Sequence, residues 1–473
     1  MAATPPAAAI PHEAAAPPTA GWVLHAEIAV VGAGPAGIAA ASRAAEAGRD
    51  VVVLDAAPRP GGQIWRHRRR EELPARARAW LERFDRSGAR LIAGAQVVDA
   101  WTAADAWAAA GSRGAAPEGF RLVAEVDGER LEVAADRVIL ATGARELFLP
   151  FPGWTLPNVF GVGGAQALVK AGASFAGKRV VVAGSGPLLL AVGATLASQG
   201  ARVAVVAEQA SRAALARFGA ALLLRSPGRI AQAARLRSAL GGARYAVGCW
   251  VTRADGDDAV REVTLTDGRR SWTEPCDVLC TGYGLVPNTE LAEMLGCGVD
   301  GGRVRVDEWQ RTSVAGVYCA GEPTGIAGVD AALAEGEIAG AHAVATSGAA
   351  GTPGTAGAAD DRRRLFRIRR REHGVARALE RAFTLRAELR DLPRGDTILC
   401  RCEDVTRGMV DPAWSFRQAK LYTRIGMGPC QARVCGPACE FLFGWRGQTT
   451  RVPTAPAEVR TLAGESGGAG AEG

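Results

Sequence analysis

The sequence predicts an α/β chain with two dinucleotide-binding units, followed by a small helical module rich in cysteine. Three observations predict it. A strand, a glycine-rich turn, a helix and a second strand ending in an acid occur twice; each such unit is echoed by a later strand ending in Thr-Gly; and five of the ten cysteines fall between positions 400 and 439. A length of 473 residues is long for one hydrophobic core and points to several domains.

Residues 1–26 are rich in Ala and Pro and lack the basic start and apolar run of a secretory signal, so they read as a disordered tail. The apolar strand Glu27–Val31 then leads into Gly32-Ala33-Gly34-Pro35-Ala36-Gly37, an Ala-rich helix to Ala47, and a strand that ends at Asp55. The second unit runs from Arg179 through Gly184-Ser185-Gly186, a helix through Ala197, and a strand ending at Glu208. The closing strands end at Thr142-Gly143 and Thr281-Gly282. The later stretch Thr312–Glu322 and a helix over 330–345 are expected to return to the first unit, which makes the second an insertion.

The resulting division is a first unit over 27–157 and 285–345, an inserted unit over 158–284, a Gly/Ala/Ser/Thr/Pro linker over 346–361, a connecting helical segment over 362–395, the cysteine module over 396–450, and a tail over 451–473. The connecting segment is Arg-rich, with Leu365, Phe366, Ile368, Val375, Leu379 and Phe383 available to one face.

Composition narrows the function. With 48% hydrophobic and 22% charged residues and no apolar run of membrane-spanning length, the chain reads as a soluble, cytoplasmic globular protein. The net charge of +7 is spread along the chain and carried almost wholly by Arg, which argues against nucleic-acid binding. None of His12, His25, His67, His342 and His373 lies in a catalytic motif, and no catalytic residue is assigned.

The first glycine motif is specific because of its context. Gly32 allows the tight turn, Gly34 lets the backbone approach a pyrophosphate, and Gly37 lets helix and strand pack closely, while the helix N-terminus stabilises phosphate charge. Asp55, 23 residues after Gly32, is placed to accept from an adenosine ribose. In the second unit Gly184 and Gly186 survive but Leu189 stands at the third glycine position. Glu208 is still placed to bind a ribose, so NAD, another adenine nucleotide and an empty structural domain all stay open there.

In the C-terminal module, Cys400-x-Cys402 and Cys430-x4-Cys435 are separated by 27 residues. Four thiolates on two loops can wrap a small metal centre, with backbone N–H groups of the surrounding Gly and Pro segments approaching its sulfurs. CxC spacing is poorly suited to tetrahedral closure on one zinc, which favours a [2Fe-2S] cluster. Zinc and unliganded core thiols remain the rival readings, and Cys439 could replace one member of the set.

The segment Gly61-Gly62-Gln63-Ile64, the turn Ala141-Thr142-Gly143 and the pair Gly321-Glu322 resemble the two-dinucleotide-domain flavoproteins, which include thioredoxin reductase-like enzymes. That resemblance implies FAD in the first unit, with Gly62 and Gln63 near the flavin, Ala141-Thr142-Gly143 closing over it, and Glu322, in place of the commoner Asp, at the ribityl-pyrophosphate region. Dithiol reductases of that group carry a Cys pair beside the flavin. Here no cysteine precedes Cys249 and no CxxC occurs, which argues against disulfide reduction.

The cysteine module resembles the bacterioferritin-associated-ferredoxin-like [2Fe-2S] domain. Together with Pro152-Gly153-Trp154, Gly282-Tyr283-Gly284-Leu285-Val286-Pro287-Asn288 and Met427-Gly428-Pro429-Cys430-Gln431, its Cx4C spacing is similar to the α (large) subunits of bacterial opine oxidases, proline and hydroxyproline dehydrogenases and hydrogen cyanide synthase. The resemblance implies an electron-relaying subunit that partners an FAD-containing β subunit of amino-acid-oxidase type; a small ferredoxin-like subunit is a further candidate. The alternative is a self-contained NAD(P)H-dependent flavin reductase feeding an external acceptor.

Overall fold

The computed structural model describes residues 23–105, 118–345, 356–445 and 450–463. The tail over 1–22, most of the linker and residues 446–449 and 464–473 lie outside the described residues.

The first unit opens with β1 (Val23–Val31), α1 (Pro35–Ala45) and β2 (Val51–Asp55), with Ile28–Val31 of β1 paired in parallel to Val51–Leu54. After α2 (Ala75–Arg86) come β3 (Arg90–Ala93), β4 (Gln96–Thr102), β5 (Phe120–Val126) and β6 (Glu129–Leu140), which give the sheet order β3-β2-β1-β6-β5-β4. β1 and β2 read as near-continuous apolar runs because both faces of this part of the sheet are covered. Residues 23–26 are a correction to the predicted tail. They extend β1 because β6 is twelve residues long and offers Glu132–Ala135 as partners.

The second unit is a five-stranded parallel sheet. β7 (Val159–Gly161), α3 (Val162–Lys170), β8 (Arg179–Gly184), α4 (Leu188–Ser198), β9 (Arg202–Glu208), α5 (Arg212–Arg225), β10 (Arg244–Val247) and β11 (Val278–Gly282) give the order β10-β9-β8-β11-β7. A three-stranded antiparallel sheet spanning Trp250–Pro275 is inserted before β11. An antiparallel ribbon of Ala144–Glu146 against Leu285–Pro287 joins the two units, and Val317–Cys319 then pairs with β6 in the first sheet.

The helix α6 (Val329–Ala345) packs on α1 at backbone contact: a Cβ at Gly336 would lie 2.1 Å from the Ala36 carbonyl oxygen, and one at Gly340 2.4 Å from that of Ala40. α7 (Ala356–Ala382) starts within the segment read as linker, its early turns carrying Asp360–Arg363 and Asp361–Arg364 ion pairs. Leu365 and Val375 are buried as the apolar face required, but Phe383 lies just past the helix end, edge-on to Phe218 of α5.

The cysteine module has its own core of Leu399, Val405, Phe416, Ile425 and Trp445. It combines a ribbon, Ile398–Cys400 against Val405–Thr406, with the helix Phe416–Thr423 and α8 (Cys435–Phe443), so it is not purely helical. The shorter helix starts at a capping box in which Ser415 and Gln418 satisfy each other's backbone N–H. Residues 450–463 correct the predicted C-terminal tail: Thr454 donates to the carbonyls of Val97 and Val98, Ala455 packs with Val98 and Val123, and Glu125 accepts from the Glu458 N–H and Thr461 hydroxyl. The apolar outer face of β4 and β5 needs this cover.

Candidate functional site

The turn after β1 is built on contacts that only glycine permits. Gly32 has φ of +102°, and a Cβ on it would lie 2.3 Å from the Ala141 carbonyl oxygen; one on Gly37 would lie 1.8 Å from the carbonyl oxygen of Gly32. Gly34 precedes α1 with no side-chain cap, and Pro35 occupies the first turn, so the uncapped, positive end of the helix points at the turn. Asp55 accepts from the N–H groups of Ala33 and Ala57, and burial raises its pKa.

The other predicted residues gather here. Gly61 donates to the Ala33 carbonyl at 2.8 Å, and a Cβ on Gly62 would lie 2.9 Å from the Gly34 Cα. Gln63 is exposed, and its carbonyl accepts from Lys170. Ala141 donates to Val31, while Thr142 and Asn288 exchange hydrogen bonds at 2.8 Å each. Gly321 packs on Ala36 and donates to Glu335, a buried carboxylate whose other oxygen meets His373 Nε2 at 2.6 Å. Glu322 faces Gly143. Burial raises its pKa, and among the described residues its carboxylate has no hydrogen-bond partner.

An uncapped helix end suits a pyrophosphate, and an unpartnered, partly buried carboxylate suits a polyol hydroxyl. The residues therefore fit FAD, which when bound supplies a two-electron carrier. With FAD bound, Gly32–Gly37 would hold its phosphates, beside an Asp55 fixed by the Ala33 and Ala57 N–H groups and a Gly321–Glu322 loop kept in place through Glu335.

At the second turn Gly184 again permits only glycine, since a Cβ would lie 1.9 Å from the Gly282 carbonyl oxygen. Leu189 is buried in the core with Val162 and Val180. Glu208 is 1% exposed; it accepts from Gly186 at 2.7 Å and Ala210 at 2.8 Å, and burial pushes its pKa up to about 7. The connector after α7 reaches this turn: Ser185 donates to the Phe383 carbonyl at 3.1 Å, and Gln209 donates to that of Thr384 at 3.1 Å.

Residues 26–336 match the family described as pyridine nucleotide-disulphide oxidoreductase. The chain belongs to that family. It is an FAD-dependent oxidoreductase. It is 35% identical over 442 residues to hydrogen cyanide synthase subunit HcnB of Pseudomonas aeruginosa, covering 87% of this chain and 91% of that protein. It is 34% identical over 449 residues to an opine oxidase subunit from Rhizobium meliloti, covering 86% and 90%. Among solved structures, L-proline dehydrogenase from P. horikoshii shares the fold with a TM-score of 0.65 at 20% identity, over 93% of this chain and 80% of that one. T. acidophilum thioredoxin reductase gives 0.51 at 23% identity, over 68% and 97%.

This pyridine nucleotide-disulphide oxidoreductase has no cysteine pair beside its first turn, and all ten cysteines are free thiols. Cys249, Cys276, Cys280, Cys297 and Cys319 are buried in the apolar cores of the two sheets. Cys400, Cys402, Cys430 and Cys435 instead line one cavity of about 220 Å³ with Phe148, Trp154, Arg401 and Val434. Cys400 pairs with Cys435 and Cys402 with Cys430. The Cys435 contact, with N–H groups of Gly426, Glu403 and Cys402, holds Cys400 down to about 5, while Cys435 is pushed up. Cys439 is absent from the cavity lining, buried with its pKa pushed up to about 12. No three His, Cys, Asp or Glu side chains among the described residues close on a single metal ion.

Residues that sequence reasoning missed bind the module to the first unit. Arg145 donates to Asn288 Oδ1 at 2.7 Å and the Arg433 carbonyl at 3.1 Å, and pairs with Glu290 at 2.8 Å. Trp154 donates to the Ile398 carbonyl at 2.7 Å. Asn288 and Trp154 lie within recognisable motifs; nothing in the spacing of Arg145 announces its role.

Proposed function

We propose that this chain is the electron-relaying subunit of a heteromeric amine or imino-acid dehydrogenase, of opine, proline or hydroxyproline type. In this reading Cys400, Cys402, Cys430 and Cys435 hold a [2Fe-2S] cluster, and substrate is oxidised on an FAD-containing partner of amino-acid-oxidase type; a small ferredoxin-like subunit is a further component. The observation that carries it is the shared cavity. Four thiols from two loops line one space in two pairs, Cys400 with Cys435 and Cys402 with Cys430, which suits a cluster whose two irons each take two thiolates.

Two further facts support it. The cavity wall includes Phe148 and Trp154, and Arg145 bridges the module to the Thr142–Asn288 pair of the first site, so both candidate redox sites share one framework. The relatives that span most of the chain are named as subunits. Among the described residues no helix is long and apolar enough to cross a membrane.

The test is anaerobic expression followed by iron, sulfide and flavin analysis and electron paramagnetic resonance of the reduced chain. One FAD, two irons and two sulfides per chain, with amino-acid oxidation only after a partner subunit is added, is the expected result. One zinc per chain, or substrate oxidation by the chain alone, refutes it. The second reading, a self-contained NAD(P)H-dependent reductase, is favoured by the surviving Gly184, Gly186 and Glu208. Rapid flavin bleaching by NADH would select it.

A further inference from the structure

The chain carries an internal control for its own second site. Both units present a Gly-rich turn between a strand and a helix, with an acid at the end of the next strand receiving N–H groups from that turn. Gly61–Gly62 and Gly321 approach the first through backbone alone, whereas the second is crossed by the connector that follows α7. Ser185, between the two glycines, donates to the Phe383 carbonyl, and Gln209, immediately after the ribose-reading position, donates to Thr384 and accepts from the Arg386 N–H at 3.1 Å. The Arg386 guanidinium also donates to the Gln209 carbonyl at 3.1 Å and lies 3.9 Å over the Trp250 ring. Phe383 is wedged edge-on to Phe218, and Leu385 and Leu389 pack with Trp250 and Tyr283.

An ADP-ribose moiety in a unit of this type runs from the glycine turn to the end of the next strand. Residues 383–386 cross that path, with both of its ends, Ser185 and Gln209, already hydrogen-bonded to them. We infer that the connector Phe383–Arg386 determines donor specificity: it seals the second cleft against pyridine nucleotides, so that NADH and NADPH do not reach this enzyme's flavin.

The apolar and cation–π anchors make the seal part of the folded state and not a loop resting on the surface. The seal involves the second unit and the connector alone and does not depend on what the four cysteines hold.

The test uses the FAD-loaded full chain. Binding of ADP-ribose is measured by calorimetry, and flavin absorbance is followed during anaerobic addition of NADH and NADPH. The wild type is compared with Gln209→Ala, which removes the side-chain bonds to the Thr384 carbonyl and the Arg386 N–H while leaving the Arg386 guanidinium contacts and the apolar anchors, and with the double variant Phe383→Ala/Arg386→Ala. Wild type that neither binds nor bleaches, with ADP-ribose affinity raised at least about tenfold in a variant that keeps its FAD, is the expected result. Equal binding by wild type and variants overturns the inference. So does absence of binding in every FAD-retaining variant, which would place the block in the unit itself, at Leu189. If the double variant loses FAD or aggregates, Gln209→Ala decides alone.

Discussion

Replacing Arg145 by alanine removes three polar contacts at once: Asn288 Oδ1 at 2.7 Å, the Arg433 carbonyl at 3.1 Å and the Glu290 carboxylate at 2.8 Å. The Arg145 and Glu290 side chains are 24% and 20% exposed, so water replaces these contacts only in part. Only the bond to the Arg433 carbonyl crosses to the cysteine module; a hydrogen bond to a charged group contributes roughly 1.5–3 kcal/mol when buried, so with partial solvation it is worth about 1–2 kcal/mol to docking. That corresponds to an undocked fraction raised roughly 5- to 30-fold. Hydrogen exchange of amides over 426–436 reads this directly, with bound FAD as the control, since Arg145 lies outside the glycine turn. Faster exchange in Arg145→Ala, partly restored in Arg145→Lys, is expected. Unchanged exchange in Arg145→Ala would show that the module is held by Trp154 and its apolar neighbours alone, and the bridging argument would fail.

Further expectations follow from single contacts. Gly37→Ala forces α1 away from the turn, because its Cβ would meet the Gly32 carbonyl oxygen at 1.8 Å; about 1–3 kcal/mol of stability and most of the bound FAD should be lost, as read by melting and flavin content after gel filtration. Cys439→Ser should retain iron while Cys435→Ser loses it, because only the latter thiol lines the cavity; equal iron loss would reassign the ligands. Burial raises the Glu208 pKa from 4.5 to about 7, so the folded state binds more protons than the unfolded state between those values, and stability must fall as pH rises through that window. The fall is roughly 3 kcal/mol at most, and Glu208→Gln should flatten that part of the stability profile; an unaltered slope would show that Glu208 is not its source.

Much of the first site was legible because its chemistry is local in sequence. Gly32, Gly34 and Gly37 are spaced by the turn itself, and Asp55 by the length of one helix and one strand, so a single strand–helix–strand unit carries the whole constellation. The strand ends at Ala141-Thr142-Gly143 and the Gly321-Glu322 loop were recognisable from resemblance, and the sheet brings them to the same turn. The edges were less legible. Val23–Ala26 sit beside an Ala/Pro tract, and only the length of β6 makes them a strand; residues 450–463 have polar, Pro-rich composition, and only the exposed apolar face of β4 and β5 gives them a place.

The sequence by itself determined two Gly-rich turns, an acid after each, and four cysteines in two short pairs, because each of these is a backbone requirement or a spacing within one segment. The tertiary structure decided what depends on contacts between distant segments. It gathered the four thiols on one cavity and left Cys439 out, tied Arg145 to Arg433, 288 positions away, and set Gly61–Gly62 and Gly321 against one glycine turn while laying Phe383–Arg386 over the other. No local pattern encodes these outcomes, since they follow from how α7 and the cysteine module pack back onto the two sheets.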